Sequence, residues 1–383
     1  MIIERNINGI SIDLDINEGN EIYLPESVAE NIKKDGMEGI LDAIYEKANC
    51  EHIPLSVFIE LTDKCNFSCP FCYINENGKE HHSLPKFDEL KQTLDYLIDK
   101  GLLYCTLSGG ECLTHPDFSR IYSHLKKHGV LVSVFSNGYL IDDTIISLFK
   151  QYKPFKVEIS IYGIDDATYR ATVANNNISA QTVFNNILKI KSIGIDVTCK
   201  TPITSFTESS FQLIKNWCDE NGISFYWGYE LQATYSGTSR SMYLASEEIR
   251  TKMRKDSDQA FYDDPHMTEL ANAAPERKHA FDCSAGKTEL YISSKYDLLP
   301  CMKAIGIEGW AFSITEHGIQ QAYSKLMSKI QNIKDQQLQY CLGCTHHKVC
   351  QECYFTQYDY DNIRQHRTEY CQSLKVFCSK IKS

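Results

Sequence analysis

Apolar and polar segments alternate regularly between residues 55 and 231 of the 383-residue chain. The alternation predicts buried strands at 55–62, 103–110, 131–138, 156–163, 195–204 and 223–231, with helices at 87–100, 116–128, 141–151, 180–193 and 207–221 between them. Strand–helix repeats of this kind form a parallel sheet with right-handed crossovers. We therefore predict an α/β fold built on a partial (β/α)6 TIM-like barrel, whose chemistry lies at the carboxyl ends of its strands.

The segments that flank this barrel are less regular. Residues 1–50 contain two short predicted strands, SIDLDI and NEIYL, followed by one or two helices. Residues 232–280 are polar and irregular, which predicts a connector. Residues 281–383 hold a second group of cysteines and are predicted to form a separate C-terminal domain.

Composition and charge exclude several classes of function. The hydrophobic fraction of 43% and the charged fraction of 23% are those of an ordinary globular protein. A net charge of −11 argues against binding to a nucleic-acid backbone, which requires a basic surface. The sequence shows no secretory signal and no apolar run that would span a bilayer. We expect a cytoplasmic protein that binds neither nucleic acid nor membrane.

The cysteine content, 16 residues, is the unusual feature of the composition. In a cytoplasmic chain of this size, dense cysteine indicates metal ligation rather than a disulfide framework. The loop after the first predicted strand contains Cys65, Cys69 and Cys72. Four thiolates complete an ordinary iron–sulfur cluster, so three leave one iron open for an external ligand. A zinc knuckle is the alternative, although zinc would require a fourth ligand close in sequence.

This loop, Cys65-Asn-Phe-Ser-Cys69-Pro-Phe71-Cys72, resembles the signature of the radical S-adenosylmethionine superfamily. The resemblance implies a [4Fe–4S] cluster whose open iron binds the amino and carboxylate groups of S-adenosylmethionine. One electron from the cluster then cleaves the cofactor to methionine and a 5′-deoxyadenosyl radical. In that family the aromatic residue at the position of Phe71 packs near the adenine.

The second predicted strand ends in Ser108-Gly109-Gly110-Glu111. Two glycines allow the backbone to approach a ligand closely, and a glutamate accepts hydrogen bonds from an ammonium group. By itself this sequence describes a turn followed by a solvated acid. After the cysteine loop it is similar to the superfamily's motif that binds the methionine amino group.

Two further strand ends carry candidate cofactor contacts. Ser136 and Asn137 end the third strand, within a segment similar to the superfamily's Ser-Asn-Gly motif. Ser160 ends the fourth strand and Arg170 follows it. In the superfamily, a serine here contacts the ribose and an arginine pairs with the carboxylate. The alternatives are a strand-capping serine and a surface arginine.

The C-terminal cysteines resemble the SPASM extension of radical enzymes that act on peptides. ELYISSKYDLLPC fits the hairpin that precedes the second cysteine of this extension, with Tyr296 in place of the usual glycine. The resemblance implies two auxiliary [4Fe–4S] clusters, three clusters in all. One would be held by Cys283, Cys301 and Cys353, and the other by Cys341, Cys344, Cys350 and Cys371. A zinc-stapled domain is the alternative.

The resemblance implies an enzyme that abstracts hydrogen from a ribosomally made peptide and installs a thioether or C–C cross-link. Its partners would be a short precursor peptide and a reducing electron donor such as flavodoxin or ferredoxin. Residues 1–50 would be either a reduced leader-recognition element or an edge extension of the barrel. A sulfatase-type maturase, a peptide epimerase, a small-molecule enzyme and a non-catalytic iron–sulfur carrier are the alternatives. Met302 argues against the sulfatase maturase, which carries aspartate at this position.

Overall fold

The computed structural model describes residues 2–7, 10–15, 22–23, 44–45, 47–74, 81–228, 231–232, 234–253, 283–332 and 355. The strands are β1 (Ile2–Ile7), β2 (Ile10–Asp15), β3 (Ile22–Tyr23), β4 (Ser56–Glu60), β5 (Tyr104–Ser108), β6 (Leu131–Ser136), β7 (Lys156–Ser160), β8 (Val197–Pro202), β9 (Ser224–Gly228), β10 (Glu289–Ile292), β11 (Asp297–Leu299) and β12 (Phe312–Ser313). The helices are α1 (Phe87–Asp99), α2 (Phe118–Lys127), α3 (Asp143–Gln151), α4 (Asp166–Val173), α5 (Ala180–Ser192), α6 (Phe211–Glu220) and α7 (Ile314–Gln331).

The strands β4 to β9 are parallel neighbours in chain order, as the sequence predicts for a partial (β/α) barrel. Each of the five predicted helices is present, and α4 is an additional helix after β7. Its start is fixed by the Asp165 carboxylate, which accepts a hydrogen bond from Thr168 N at 2.9 Å. The α/β fold predicted from the sequence is confirmed.

The sheet continues beyond the predicted barrel. Its strand order is β12-β11-β10-β4-β5-β6-β7-β8-β9, with β10 parallel to β4 and antiparallel to β11. The hairpin assigned from sequence to the C-terminal domain is therefore part of the barrel's sheet. Pairing with β10 covers the edge of β4, which would otherwise leave unpaired backbone groups. The contacts divide the chain into one unit of residues 1–246 and 284–327 and another of 247–283 and 328–383.

Side chains alternate between the two faces of the sheet. The outer face is apolar and buried beneath the helices, with Val57, Ile59, Leu107, Val134 and Ile159 all 0% exposed. The inner face is defined by Phe58, Glu60, Phe135, Glu158, Lys200, Tyr226 and Tyr291, which contact one another across the strands. Burial on the outer face stabilises the sheet and leaves the inner face for polar chemistry.

The N-terminal strands form a separate antiparallel sheet in the order β1-β2-β3. Ile7, Ile12 and Leu14 pack into one apolar cluster with Leu55 and Leu103, which lie at the amino ends of β4 and β5. The N-terminal sheet therefore covers the end of the barrel opposite the predicted chemistry.

The first N-terminal strand was not predicted from sequence because it carries charged residues at its centre. Arg5 is buried and donates to the carbonyl oxygens of Leu102, Gly129 (3.2 Å) and Ile98 (3.2 Å). Burial lowers the pKa of Arg5 to about 10, and the nearby Asp99 charge opposes that shift. These hydrogen bonds to carbonyl oxygens offset the free-energy cost of burying the Arg5 charge.

None of the helices in the described ranges has both the length and the apolar character that a bilayer span requires.

Candidate active site at the carboxyl end of the barrel

The cysteine loop begins directly after β4, at the carboxyl end of the sheet. Phe67 N donates to Cys65 Sγ at 3.4 Å, and Cys72 N donates to Cys69 O at 3.1 Å. Ser68 N donates to Val173 O at 2.8 Å, so the end of α4 holds the loop in place. These bonds hold the cysteine loop in place at the carboxyl end of the sheet.

The three thiols of the loop are close enough to influence one another. Burial raises the pKa of Cys69 well above its usual value, and the charges of Cys72 and Cys65 raise it further. Cys65 is at the surface as a residue, but desolvation of its thiol raises its pKa to about 12. Desolvated thiols such as those of Cys65 and Cys69 become thiolates only beside a compensating positive charge, which a metal cluster supplies. The donor set therefore fits a [4Fe–4S] cluster with one open iron.

An aromatic shell surrounds the loop. The Phe67 ring lies 6.0 to 6.4 Å from the rings of Tyr139, Tyr162 and Tyr169. The Phe71 ring lies 5.9 Å from that of Tyr162 and is buried. Tyr162 also hydrogen bonds with Cys69, so the shell shields this buried thiol from water.

The two glycines after β5 lie against the backbone of the segment that leads into the cysteine loop. The sequence suggested only that they allow close approach to a ligand. A Cβ on Gly109 would lie 2.2 Å from Thr62 O, and one on Gly110 would lie 2.4 Å from Lys64 O. Gly110 N donates to Thr62 O at 2.7 Å. Gly109 also has a φ of +134°, which favours glycine. These glycines thus let the segment that leads into the cysteine loop lie directly on the end of β5.

Glu111 is buried and held by donors from the next strand end. Its Oε1 accepts from Ser136 Oγ (2.9 Å) and Leu113 N (3.1 Å), and its Oε2 accepts from Asn137 N (2.7 Å). Burial raises the pKa of this carboxyl, and the hydrogen bonds oppose the shift. Asn137 Nδ2 in turn lies 3.7 Å from Cys65 Sγ. One network thus joins the predicted residues Glu111, Ser136 and Asn137 to the cysteine loop.

The other two predicted contacts lie at the end of β7 and on α4. The Tyr162 hydroxyl hydrogen bonds with both Ser160 and Cys69, which brings Ser160 into the same network. Arg170 Nη2 donates to Asp166 Oδ2 at 2.8 Å, and its Nε donates to Ile178 O at 2.6 Å. Arg170 is therefore held by α4 and its C-terminal loop, and its contact with a cofactor carboxylate stays a prediction.

Sequence reasoning missed a buried carboxylate on the inner face. Glu60 is 0% exposed and accepts hydrogen bonds from Tyr73 OH (3.0 Å), Tyr235 OH and Ser294 N (3.3 Å), with Tyr291 beside it. Burial raises the pKa of Glu60, and these donors oppose the shift. The cluster joins β4, the residue after Cys72 and the turn that follows β10. The sequence feature that could have revealed this cluster is the charged residue within the apolar segment VFIELT.

We expect Glu60→Ala to lower the free energy of unfolding by about 3 kcal/mol, because it leaves several buried hydrogen-bond donors without an acceptor. Glu60→Gln keeps one carbonyl acceptor in the same place, and its expected loss is less than half as large. Urea unfolding followed by circular dichroism measures both. Equal losses in the two variants would show that the hydrogen bonds to Glu60 do not stabilise the fold.

A second charged group on the inner face was also missed. Glu158 is buried between Lys156 Nζ, at 2.5 Å, and Lys200 Nζ. Lys200 Nζ also lies 4.6 Å from the Phe135 ring centroid and 5.7 Å from that of Tyr226. Ser160 pairs with Lys200 in the β7–β8 register, which places this cation at the carboxyl end of the barrel. The sequence feature that could have revealed this group is the presence of charged residues within otherwise apolar strands.

The C-terminal cysteines are described only in part. Cys301 follows the hairpin β10–β11 in the first unit, and Cys283 belongs to the second unit. The remaining predicted ligands of the auxiliary clusters, Cys341, Cys344, Cys350, Cys353 and Cys371, lie outside the described residues. Tyr296, the residue in place of the hairpin glycine, has a φ of +64°, and its hydroxyl hydrogen bonds with Thr93 Oγ1 at 2.6 Å.

The structure thus combines a parallel partial barrel with three cysteines in the loop after the barrel's first strand. The sequence pattern of the Radical SAM superfamily matches residues 59–215, which identifies this part of the chain as a radical SAM domain. A radical SAM domain implies S-adenosylmethionine and a [4Fe–4S] cluster as cofactors.

Comparison with known proteins gives relatives of two kinds. The antilisterial bacteriocin subtilosin biosynthesis protein AlbA of Bacillus subtilis is 26% identical over 260 residues, covering 65% of this chain and 55% of its own length. The GTP 3′,8-cyclase of Aquifex aeolicus is 25% identical over 213 residues, covering 53% of this chain and 65% of its own length. The chain thus spans only part of the length of these relatives.

Among solved structures, Streptococcus suis SuiB bound to precursor peptide SuiA superposes with a TM-score of 0.65 at 16% identity. The match covers 94% of this chain and 96% of that chain. At this identity the comparison establishes the shared fold.

Proposed function

We propose that the chain is a radical S-adenosylmethionine maturase that oxidatively cross-links a ribosomally made peptide through a thioether or C–C bond. The observation that carries the proposal is the network at the carboxyl end of the barrel. There Glu111 and Asn137 are tied to the cysteine loop beside a polar and aromatic inner face. The similarity to the bacteriocin biosynthesis protein AlbA supports a peptide as substrate.

In this proposal Cys65, Cys69 and Cys72 hold the cluster and leave one iron open. When bound there, S-adenosylmethionine supplies a 5′-deoxyadenosyl radical. Glu111 Oε2 accepts one hydrogen bond from the chain, and a carboxylate oxygen can accept a second from the cofactor's ammonium group. Phe71, Gly109, Gly110, Ser136, Asn137, Ser160 and Arg170 are the further proposed contacts to the cofactor.

The inner face then orients the peptide. Phe135 and Tyr226 offer aromatic surface, and Lys200 offers a cation that can hold a backbone carbonyl or a carboxylate. Holding one C–H bond near the cofactor converts hydrogen abstraction into an effectively unimolecular step. The aromatic shell of the loop shields the Cys69 side of the site from water.

A net two-electron oxidation also needs an acceptor for the second electron. We propose that Cys283, Cys301 and Cys353 hold one auxiliary [4Fe–4S] cluster, and that Cys341, Cys344, Cys350 and Cys371 hold the other. The first set has three cysteines, so its fourth position is open to another ligand. A flavodoxin or ferredoxin in the cytoplasm is the proposed electron donor.

Anaerobic coexpression with the short peptides encoded beside the gene, followed by intact-mass measurement, tests the proposal. We expect one peptide to lose two hydrogens, about 2 Da, and fragmentation to locate the new bond. A peptide coexpressed with Cys69→Ala serves as the control and should keep its mass.

Two other outcomes would redirect the assignment. Deuterium uptake from D2O without a change in hydrogen count would identify an epimerase. Formation of 5′-deoxyadenosine with every peptide unchanged would favour a small-molecule substrate. The similarity to a GTP 3′,8-cyclase is the observation that supports a small-molecule substrate as the second candidate.

A further inference from the structure

Three side chains with metal-ligand chemistry meet in the helical layer of the barrel. Asp95 lies on α1, His124 lies on α2 and His128 directly follows α2. One ligand atom of each lies within 4.8 Å of the other two. We propose that Asp95, His124 and His128 bind one divalent transition-metal ion, such as Ni²⁺ or Zn²⁺, independently of the cysteine clusters and of the proposed function.

The geometry of the group is close to that of a bound ion. His124 Nε2 and Asp95 Oδ1 are 2.7 Å apart, and the His124 and His128 ring centroids are 4.3 Å apart. Ligands at about 2.0–2.1 Å around a tetrahedral ion are separated by about 3.3 Å. Side-chain adjustments of roughly an ångström therefore bring the three atoms onto one ion.

The two histidines are arranged as a chelating pair. They are four residues apart, so their side chains lie on the same side of the helix. His128 Nδ1 donates to His124 O at 2.8 Å, which leaves a lone pair on its Nε2. A hydrogen bond of this kind orients a ligating imidazole in known metal sites.

The His124 side chain is 8% exposed, and its Nε2 lies 2.7 Å from Asp95 Oδ1. The Phe87 and His124 rings pack edge-to-face with centroids 5.3 Å apart, and Arg120 Cζ lies 4.6 Å from the Phe87 ring centroid. Two imidazoles and one carboxylate suit a borderline ion rather than Ca²⁺ or Mg²⁺.

Lys91 is the competitor for this site. Its Nζ pairs with Asp95 Oδ2 one helical turn away, and both side chains are partly exposed. Surface pairs of this type contribute little free energy, so a divalent ion can displace the ammonium group. Arg120, the other nearby cation, pairs with Asp88 at 2.8 Å and does not compete.

An ion here would fasten α1 to the end of α2. Through Thr93, α1 also hydrogen bonds with Tyr296 in the turn between β10 and β11. A bound metal ion would thus stabilise the position of α1, which contacts this turn through Thr93.

Equilibrium dialysis of the tag-free, anaerobically reconstituted holoenzyme against Ni²⁺ tests the site, because its clusters already occupy the ligating cysteines. We expect the wild type to bind one Ni²⁺ per chain. His128→Gln, a change at an exposed position, should weaken binding by at least about tenfold.

Lys91→Gln removes the competing ammonium group and should tighten Ni²⁺ binding several-fold, which a merely structural role for Lys91 would not produce. Thermal unfolding with and without Ni²⁺ provides a second measurement, with a rise in midpoint expected for wild type and none for His128→Gln. Unchanged Ni²⁺ affinity and stoichiometry in His128→Gln would overturn the proposal.

Discussion

Cys69→Ala is expected to abolish 5′-deoxyadenosine formation from S-adenosylmethionine and dithionite. Cys69 is buried at the centre of the loop, hydrogen bonded to Tyr162 and within the electrostatic range of Cys65 and Cys72. The cluster is proposed to have three thiolate ligands and one open iron, and two thiolates would not retain it, so the variant should lose about four iron atoms per chain. Anaerobic iron and sulfide analysis, together with chromatography of the nucleoside product, measures both effects.

Cys105→Ala is the matched control for this prediction. Cys105 is also buried, at 1% exposure against 7% for Cys69, but lies on β5 with its side chain towards the helical layer. Its loss should leave iron content and nucleoside formation unchanged and cost about 1 kcal/mol of stability. Nucleoside formation by Cys69→Ala at the wild-type rate would remove the loop from the chemistry and contradict the proposed function.

Strand positions and motif spacing were readable from the sequence because each depends on nearby residues. Every predicted barrel strand overlaps an observed one, since outer-face residues such as Val57 and Ile159 must be apolar to pack beneath the helices. Gly109-Gly110-Glu111 directly follows β5, and Ser136-Asn137 lies at the end of β6. Parallel strands place their carboxyl ends along one edge of the sheet. Their proximity to the cysteine loop therefore followed from topology alone.

Contacts between distant segments were not readable in this way. The pairing of β10 with β4 joins residues more than two hundred positions apart, and no local pattern encodes such a partner. The Glu60 cluster has the same origin, because its donors Tyr235 and Ser294 come from segments after the barrel helices. A charged residue in a buried strand signals that a partner exists without identifying it.

For a single residue too, the local conformation was predictable from the sequence and the distant contact was not. The comparison of sequence motifs marked Tyr296 as a departure from glycine, and its positive φ shows why glycine is usual there. Nothing in the sequence indicated that its hydroxyl would hydrogen bond with Thr93 on α1. That bond offsets part of the cost of a left-handed tyrosine.

Gly109→Ala is expected to destabilise the barrel by about 3–5 kcal/mol and to reduce cluster incorporation in the same preparation. The added Cβ would lie 2.2 Å from Thr62 O, which is backbone and cannot rotate away. Relief requires the Thr62–Lys64 segment to move, and with it the Gly110 N to Thr62 O bond and the start of the cysteine loop. Urea unfolding and iron content per folded chain measure the two effects.

Gly237→Ala separates steric overlap from backbone strain. Gly237 also has a positive φ, +85°, but a Cβ there meets no atom within 4 Å. Its substitution should cost about 1 kcal/mol, the penalty for the left-handed conformation, with iron content unchanged. If Gly109→Ala unfolds at the same urea concentration as Gly237→Ala and keeps its iron, the packing of β5 against the cysteine loop does not position the cluster ligands. A larger loss in Gly109→Ala, with iron falling in parallel, would show that these glycines act by allowing one backbone to lie on another.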